Sequence, residues 1–298
     1  MKLITDNGIE GIGETYDAPF NPQLVAKLIE SVADRFVIGT DPFQIETMWQ
    51  NIYASGYDQH PDTTKMAIIS GLEIACWDII GKALDQPVYN LMGGKYHEKL
   101  RSYTYINPAQ DAPPEKRNAQ GDPDIAAERA AYFVSLGFTA LKFDPVGPVT
   151  VEAPYQLSLR RLENAEKVAR AVREAVGDKC DLLIGTHGEM TTSSAIRLAK
   201  RLEKYDPLWF EEPVPPENRD EMARVAWHTS IPIATGERLS TKYEFRELPD
   251  GPGLGVELNE EVAEKYIYTG TGTALDVRYG HLYDCWHFIE RDNWSRRG

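Results

Sequence analysis

The stretch that decides the fold class is residues 207–230, PLWFEEPVPPENRDEMARVAWHTS. Its apolar run at residues 208–210 is typical of a short buried strand, and the segment that begins at Asn218 has the apolar spacing of a helix. Glu211 and Glu212 follow the apolar run directly. The stretch is therefore one strand-helix unit that carries two carboxylates where its strand ends.

The same strand-helix unit occurs five times in succession between about Leu100 and Glu247. The five strands are read in LRSYTYIN, FTALKFDP, CDLLIGTHG, PLWFEEP and IPIATGE. Alternating strands and helices predict a parallel sheet covered by helices. A doubly wound sheet would carry a glycine-rich phosphate turn before an early helix, and none opens a helix here. The sequence therefore predicts an α/β fold with a (β/α)8-type barrel.

The first part of the chain mixes short strands with helices. The segment KLITDNGIEGIGE reads as a hairpin around Asn7 and Gly8, a residue pair that tolerates positive φ. Two helical patterns follow, and Asp62 or Thr63 is the predicted N-cap of the second. These elements predict an N-terminal α+β capping domain.

Composition excludes several classes of partner. The 298 residues carry a formal net charge of −14, which argues against a nucleic acid or an anionic membrane surface as a partner. The three cysteines have no metal-like spacing and are typical of a reduced, cytoplasmic protein. The sequence has neither a signal-peptide pattern nor an apolar run long enough to span a membrane. We expect a small molecule as the partner.

Ionisable side chains follow four successive predicted strands, where barrel enzymes place their chemistry. They are Lys142, Asp144, His187, Glu189, Glu211, Glu212, Glu237 and Arg238. Carboxylates that converge at one barrel mouth are stable only when they are protonated or bound to a cation. Oxygen ligands of this kind suit Mg²⁺, so the sequence predicts Mg²⁺ as the cofactor.

Four motifs together resemble one family. They are LEIACWDIIGKALDQPVYNLMGG, ALKFDP, WFEEPVPPE and IPIATGER. In this order they resemble the mandelate racemase/muconate lactonizing enzyme branch of the enolase superfamily, and its acid-sugar dehydratases and cycloisomerases in particular. The resemblance implies a capping domain over a (β/α)8 barrel and a Mg²⁺ ion that holds a substrate carboxylate. It also implies a lysine or histidine base that removes the proton α to that carboxylate, after which the dehydratases lose a β-hydroxyl.

The resemblance also implies a set of metal ligands. Glu211 and Glu237 match the ligands that end the fourth and fifth barrel strands. Gly185 stands where the family has an aspartate at the end of the third strand. We hypothesise that Asp144, from the adjacent strand, supplies the missing oxygen ligand. The alternative is that His187 ligates the metal.

The remaining site residues follow from the same correspondence. Lys142 matches the first lysine of the family's Lys-x-Lys pattern, and Asp144 replaces the second, which is the usual base. His187 is then the predicted base, and Lys142 neutralises the substrate carboxylate or acts as the acid. The predicted substrate-binding residues are Tyr16, Tyr57 and His60 of the cap and Arg238 of the barrel.

The predicted organisation has three parts. Residues 1–98 form the capping domain without its first strand, residues 99–248 form a partial barrel of about five strands, and residues 249–298 return to the cap with an atypical tail. A complete barrel needs eight strands. Two functions therefore stay open. One is a Mg²⁺-dependent acid-sugar lyase or isomerase, and the other is a non-catalytic truncated remnant of such an enzyme. The family resemblance also implies that the chain can assemble as a homo-oligomer.

Overall fold

The computed structural model describes residues 1–16, 20–57, 59–147 and 155–246. Residues 1–238 form one compact unit, and residues 239–246 belong to a second, which contains helix α9 (Lys242–Arg246). The predicted C-terminal segment, 249–298, lies outside the described residues. The predicted domain boundaries after residues 98 and 248 therefore stay predictions.

The capping part opens with the predicted hairpin. Strands β1 (Lys2–Ile4) and β2 (Glu10–Ile12) pair antiparallel, with Leu3 opposite Gly11. The turn between them needs a residue at positive φ, and Gly8 supplies it at +85°. The hairpin prediction is confirmed.

Four helices complete the capping part: α1 (Pro22–Phe36), α2 (Ile45–Tyr53), α3 (Thr63–Ala83) and α4 (Val88–Leu91). The Asp62 side chain accepts a hydrogen bond from the Lys65 backbone N–H at 2.8 Å, which confirms Asp62 as the N-cap of α3. The apolar faces of these helices share a core in which Ile52, Ile69 and Leu72 are fully buried. Within the described residues, no helix is both long and apolar enough to cross a bilayer.

A five-stranded sheet forms the second part of the unit. Its strands are β3 (Thr104–Tyr105), β4 (Ala140–Phe143), β5 (Asp181–Gly185), β6 (Trp209–Glu211) and β7 (Ile233–Ala234). Helices α5 (Pro123–Ser135), α6 (Leu159–Val176), α7 (Thr192–Leu202) and α8 (Arg219–Trp227) lie between successive strands in the chain. Every neighbouring pair of strands is parallel, and the spatial order is the sequence order.

In a (β/α)8 barrel, successive strands lie side by side in sequence order, whereas in a doubly wound sheet the direction of that order reverses at a switch point. The predicted fold class is therefore confirmed in the part of the chain that the structure describes. Phe143, Ile184 and Phe210, from three neighbouring strands, are fully buried in the core shared with the helices. This core aligns the carboxyl ends of the strands along one edge.

The last strand is shorter than the sequence predicted. Strand β7 ends at Ala234, so Glu237 is exposed and lies in the following loop instead of at the strand end. Gly236, at φ +127°, departs from strand geometry and separates Glu237 from the sheet. The prediction that Glu237 ends this strand is therefore wrong in position.

Candidate active site

An ion pair between β4 and β6, the two strands that flank β5, is the centre of the candidate site. Lys142 of β4 places its Nζ 2.5 Å from Glu211 Oε1 at the end of β6, with side-chain exposures of 3% and 13%. The second oxygen, Oε2, accepts a hydrogen bond from Trp209 Nε1 at 2.9 Å. The Lys142 ammonium also lies 5.3 Å from the ring centre of Tyr105. We call Lys142, Glu211, Trp209, Tyr105 and His187 the lysine–glutamate cluster.

The charges of this cluster are compensated. Burial alone would lower the pKa of Lys142, but the hydrogen bond to Glu211 and the attraction of Tyr105 and Glu211 outweigh it, so the pKa is raised. Burial also raises the pKa of the Tyr105 phenol, against the opposing effect of Lys142. At neutral pH, Lys142 is therefore a cation and Tyr105 is a neutral phenol.

His187 joins the cluster through a strained backbone. It follows β5, lies at φ +50° and is partly buried. Its Nε2 lies 3.5 Å from the Tyr105 hydroxyl, and its carbonyl oxygen accepts a hydrogen bond from Arg238 Nη2 at 2.5 Å. Positive φ is uncommon in a residue other than glycine and occurs often at functional sites. The turn aims the imidazole towards the cluster.

Glu212 holds the adjacent turn. It is fully buried at φ +42°, and its Oε2 lies 3.1 Å from Arg238 Nε. Burial raises the pKa of Glu212, and Arg238 partly opposes that shift. Its carbonyl oxygen accepts hydrogen bonds from Thr186 Oγ1 at 3.0 Å and from the Gly188 N–H at 2.7 Å. Glu212 therefore joins the ends of β5 and β6 and fixes Arg238 beside them.

A second pair of acids, Asp144 and Glu189, follows strands β4 and β5. Asp144 is 7% exposed, and its Oδ1 accepts hydrogen bonds from the N–H groups of Val146 at 2.9 Å and Gly147 at 3.3 Å. Glu189 is fully buried, and neither of its carboxylate oxygens has a hydrogen-bond partner within the described residues. Burial raises the pKa of each to about 7, and the charge of Glu189 adds to the shift of Asp144. We call these two residues the acid pair.

The structure places the three predicted metal ligands differently. Glu211 is in the cluster, and Glu237 is exposed but close enough to act electrostatically on Tyr105. Asp144 instead faces the loop that follows its own strand and Glu189. Within the ranges that the structure describes, no three His, Cys, Asp or Glu side chains lie close enough to form a metal centre. Glu211 and Glu237 nevertheless have the carboxylate donors that Mg²⁺ prefers, and Mg²⁺ commonly uses one or two carboxylates and completes its shell with water and substrate.

The predicted cap residues make no described contact with the cluster. Tyr16 is 81% exposed, Tyr57 is fully exposed, and His60 Nδ1 lies 2.8 Å from the carbonyl oxygen of Pro61. In the described part of the chain, none of these three cap residues shares a hydrogen bond, ion pair or ring contact with the cluster. Their substrate-binding role therefore stays a prediction, as do the roles of Lys142, His187, Asp144, Glu211, Glu237 and Arg238.

Sequence reasoning missed Tyr105, Trp209 and the burial of Glu189. The two-residue spacing of Tyr103 and Tyr105 was the available signal, because it puts both rings on one face of a strand. In the structure, both rings lie within 6 Å of the Lys142 ammonium, at 5.8 and 5.3 Å. Trp209, two residues before Glu211, lies on the same face of β6 by the same rule.

Comparison with known proteins defines the family to which this chain belongs. The family model of the mandelate racemase/muconate lactonizing enzyme N-terminal domain matches residues 1–93, and the enolase C-terminal domain-like model matches residues 124–248. Between them they match most of the chain. The chain belongs to the enolase superfamily, within its mandelate racemase/muconate lactonizing enzyme group.

Particular relatives narrow the comparison. The chain is 33% identical over 270 residues to D-xylonate dehydratase of Haloferax volcanii, and 32% identical over 257 residues to D-galactonate dehydratase of Xanthomonas oryzae pv. oryzae. Each match covers 86% of this chain and 62% of the relative. A crystal structure of a candidate mandelate racemase/muconate lactonizing enzyme from Burkholderia SAR-1 is 59% identical with a TM-score of 0.78, covering 83% of this chain and 60% of that one. The chain thus spans less than two thirds of the length of these relatives.

Proposed function

We propose that this chain carries the proton-abstraction site of a Mg²⁺-dependent acid-sugar dehydratase. The observation that carries the proposal is the convergence of Lys142, His187 and Glu211 from three neighbouring strand ends. A buried cation, an imidazole and a carboxylate are the groups needed to bind a carboxylate substrate and remove its α proton. The activities named for the D-xylonate and D-galactonate dehydratases support a sugar acid as the substrate.

Glu211 and Glu237 are the residues that would hold Mg²⁺. When bound, the ion supplies a positive charge that stabilises the negative charge developing on the substrate carboxylate as the α proton leaves. Asp144 as a third ligand, and His187 as the alternative, remain hypotheses. The Asp144→Ala variant tests the first, because it should bind Mg²⁺ more weakly than the parent.

His187 is the proposed base. Its imidazole accepts the α proton, and the nearby Tyr105 hydroxyl orients the ring. Lys142 stays protonated because its pKa is raised, so it serves as a cation and not as a base. Its ammonium neutralises the substrate carboxylate or protonates the β-hydroxyl that leaves as water. Arg238 is the proposed contact of the sugar acid in the barrel part, and its position beside His187 and Glu212 supports that role.

The test is turnover by the purified chain on a panel of aldonates and aldarates, with Mg²⁺ or with EDTA. Product is measured as the 2-keto acid that dehydration yields. The expected result is Mg²⁺-dependent product, lowered about 100-fold or more in His187→Asn and lost in Glu211→Gln. The control is Glu166→Gln, since Glu166 pairs with Lys204 and Arg201 on the helical side of the sheet.

The other hypothesis, a non-catalytic remnant, makes a different prediction. A cooperatively folded chain that binds Mg²⁺ but makes no keto acid from any sugar acid would support the remnant and contradict the dehydratase. An isomerised sugar acid instead of a keto acid would place the chain with the cycloisomerases or racemases. A cytoplasmic location, assembly as a homo-oligomer, and a lack of nucleic-acid or membrane partners also stay predictions.

A further inference from the structure

The Lys142 ammonium occupies the carboxylate that the proposed metal needs. Its Nζ lies 2.5 Å from Glu211 Oε1, and Trp209 Nε1 occupies Oε2 at 2.9 Å. Both oxygens of Glu211 therefore have donors in this structure. An ammonium at hydrogen-bond distance from Glu211 Oε1 repels a divalent cation on the same oxygen, so its presence weakens metal binding there.

Gly185 provides the space that Lys142 uses. It is opposite Glu211 in the register of β5 and β6. A Cβ at this position would lie 2.5 Å from Lys142 Cε, 3.4 Å from Lys142 Nζ and 3.4 Å from the Tyr105 hydroxyl. Gly185 is not among the glycines at positive φ. The lysine side chain therefore runs through the volume that a side chain at position 185 would fill.

Two aromatic rings also contact the ammonium in its position beside Glu211. The rings of Tyr103 and Tyr105 lie 5.8 and 5.3 Å from Lys142 Nζ, within the range of cation–π attraction. When Lys142 leaves Glu211, these rings can retain its charge without expelling it to solvent. The cluster thus offers the ammonium a carboxylate partner and an aromatic partner.

We propose that Lys142 is a resident cation that competes with the divalent metal for Glu211, and that Gly185 permits this competition by leaving room for the lysine. Metal loading then requires Lys142 to leave Glu211. The apparent metal affinity is the intrinsic affinity reduced by the fraction of molecules in which Glu211 is free. The inference rests on the proposed role of Glu211 as a metal ligand.

The test is Mg²⁺ binding by isothermal titration calorimetry in the absence of substrate. Lys142→Met removes the ammonium, whereas Gly185→Ala keeps every charge and adds only the Cβ that displaces Lys142. Both variants should bind Mg²⁺ more tightly than the parent, by about tenfold for Lys142→Met if the parent has Glu211 free in about a tenth of molecules. Lys116→Met is the matched control for loss of a lysine charge, and it should change the affinity by less than about threefold because Lys116 pairs with Glu128 in solvent.

Several outcomes would overturn the inference. If Lys142→Met binds Mg²⁺ no more tightly than Lys116→Met does, the effect is only one of net charge. If Gly185→Ala has parental or weaker affinity, Lys142 does not compete with the metal. Circular dichroism and thermal unfolding in EDTA establish that each variant is folded; if one is not, the other still decides the question. Equal Mg²⁺ binding by all forms contradicts this inference alone, whereas no binding by any form contradicts the proposed metal site as well.

Discussion

The lysine–glutamate cluster and the acid pair lie at the ends of neighbouring strands, but they differ in whether their buried charges are paired. In the cluster, the Glu211 carboxylate is neutralised by Lys142 and receives a further hydrogen bond from Trp209. In the acid pair, Glu189 is fully buried without a hydrogen-bond partner in the described chain, and Asp144 adds repulsion. Burial of a charge is costly unless it is paired. The lysine–glutamate cluster therefore stabilises the strand ends, whereas the acid pair destabilises the folded chain when its carboxyls ionise.

The largest expected effect comes from breaking the compensated region. Lys142→Met leaves the Glu211 carboxylate buried without its cation and should lower the free energy of unfolding by about 3 kcal/mol. The measurement is urea unfolding in EDTA at neutral pH. Lys116→Met is the control, because Lys116 pairs with Glu128 in solvent, where such a pair contributes about 0–1 kcal/mol. Equal losses in the two variants would show that the cluster is no more than a surface ion pair.

The next effect comes from relieving the uncompensated region. The pKa of Glu189 is raised from 4.5 to about 7 on folding, so ionisation opposes folding as pH rises through this window. Glu189→Gln should therefore stabilise the chain by about 2–3 kcal/mol above pH 7. The gain should vanish near pH 4, where the carboxyl is protonated in both the folded and the unfolded state.

Thermal and urea unfolding across this pH range measure the effect of Glu189→Gln. The exposed Glu128 gives a matched control, since Glu128→Gln should show no such pH-dependent gain. A Glu189→Gln gain that is the same at pH 4 and pH 8 would mean that shape, and not charge, limits this site.

A smaller effect tests the second donor to Glu211. Trp209→Phe keeps the aromatic ring but removes the indole N–H, and it should cost about 1.5 kcal/mol because the hydrogen bond has a charged acceptor. Trp227→Phe, at a side chain that is 76% exposed, should stay within about 0.5 kcal/mol of the parent. The measurement is the urea unfolding midpoint of each variant. Equal midpoints for Trp209→Phe and Trp227→Phe would show that the indole N–H does not stabilise the Glu211 carboxylate.

The smallest effect is the coupling inside the acid pair. Asp144→Asn and Glu189→Gln each remove the same repulsion, so the double variant should gain about 1 kcal/mol less than the two single variants together at pH 8. A double-mutant cycle in urea measures this difference. Additive effects would place the two carboxylates too far apart to interact.

The sequence could predict the compensated region better than the uncompensated one. The positions of Glu211 and Lys142 can be predicted from local sequence, because each lies in or directly after an apolar run. Parallel strands align their carboxyl ends, so both side chains are expected at the same edge of the sheet. The contact between them required only the strand order β4-β5-β6, which the repeated strand-helix unit implies. The five-stranded parallel sheet and its capping part were predictable for the same reason.

The burial of Glu189 depends on contacts that are distant in sequence. The Tyr155 N–H donates to the Glu189 carbonyl oxygen at 2.9 Å, and Tyr155 bridges to Met190. No local sequence pattern specifies that Tyr155 will form a backbone hydrogen bond with the turn that contains Glu189. The end of β7 was missed for a different reason, since the apolar run IPIA continues into a threonine and a glycine without a clear stop.

Gly185 also has a consequence for how this site can change over generations. The atoms that a new side chain there would meet belong to the movable ends of Lys142 and Tyr105, and no backbone atom is among its three nearest neighbours. A single base change converts a glycine codon into an aspartate or a glutamate codon, so one mutation can introduce a third carboxylate here while the strand register stays the same. The number of acidic groups at this strand end is therefore a trait that selection can raise or lower without rebuilding the fold.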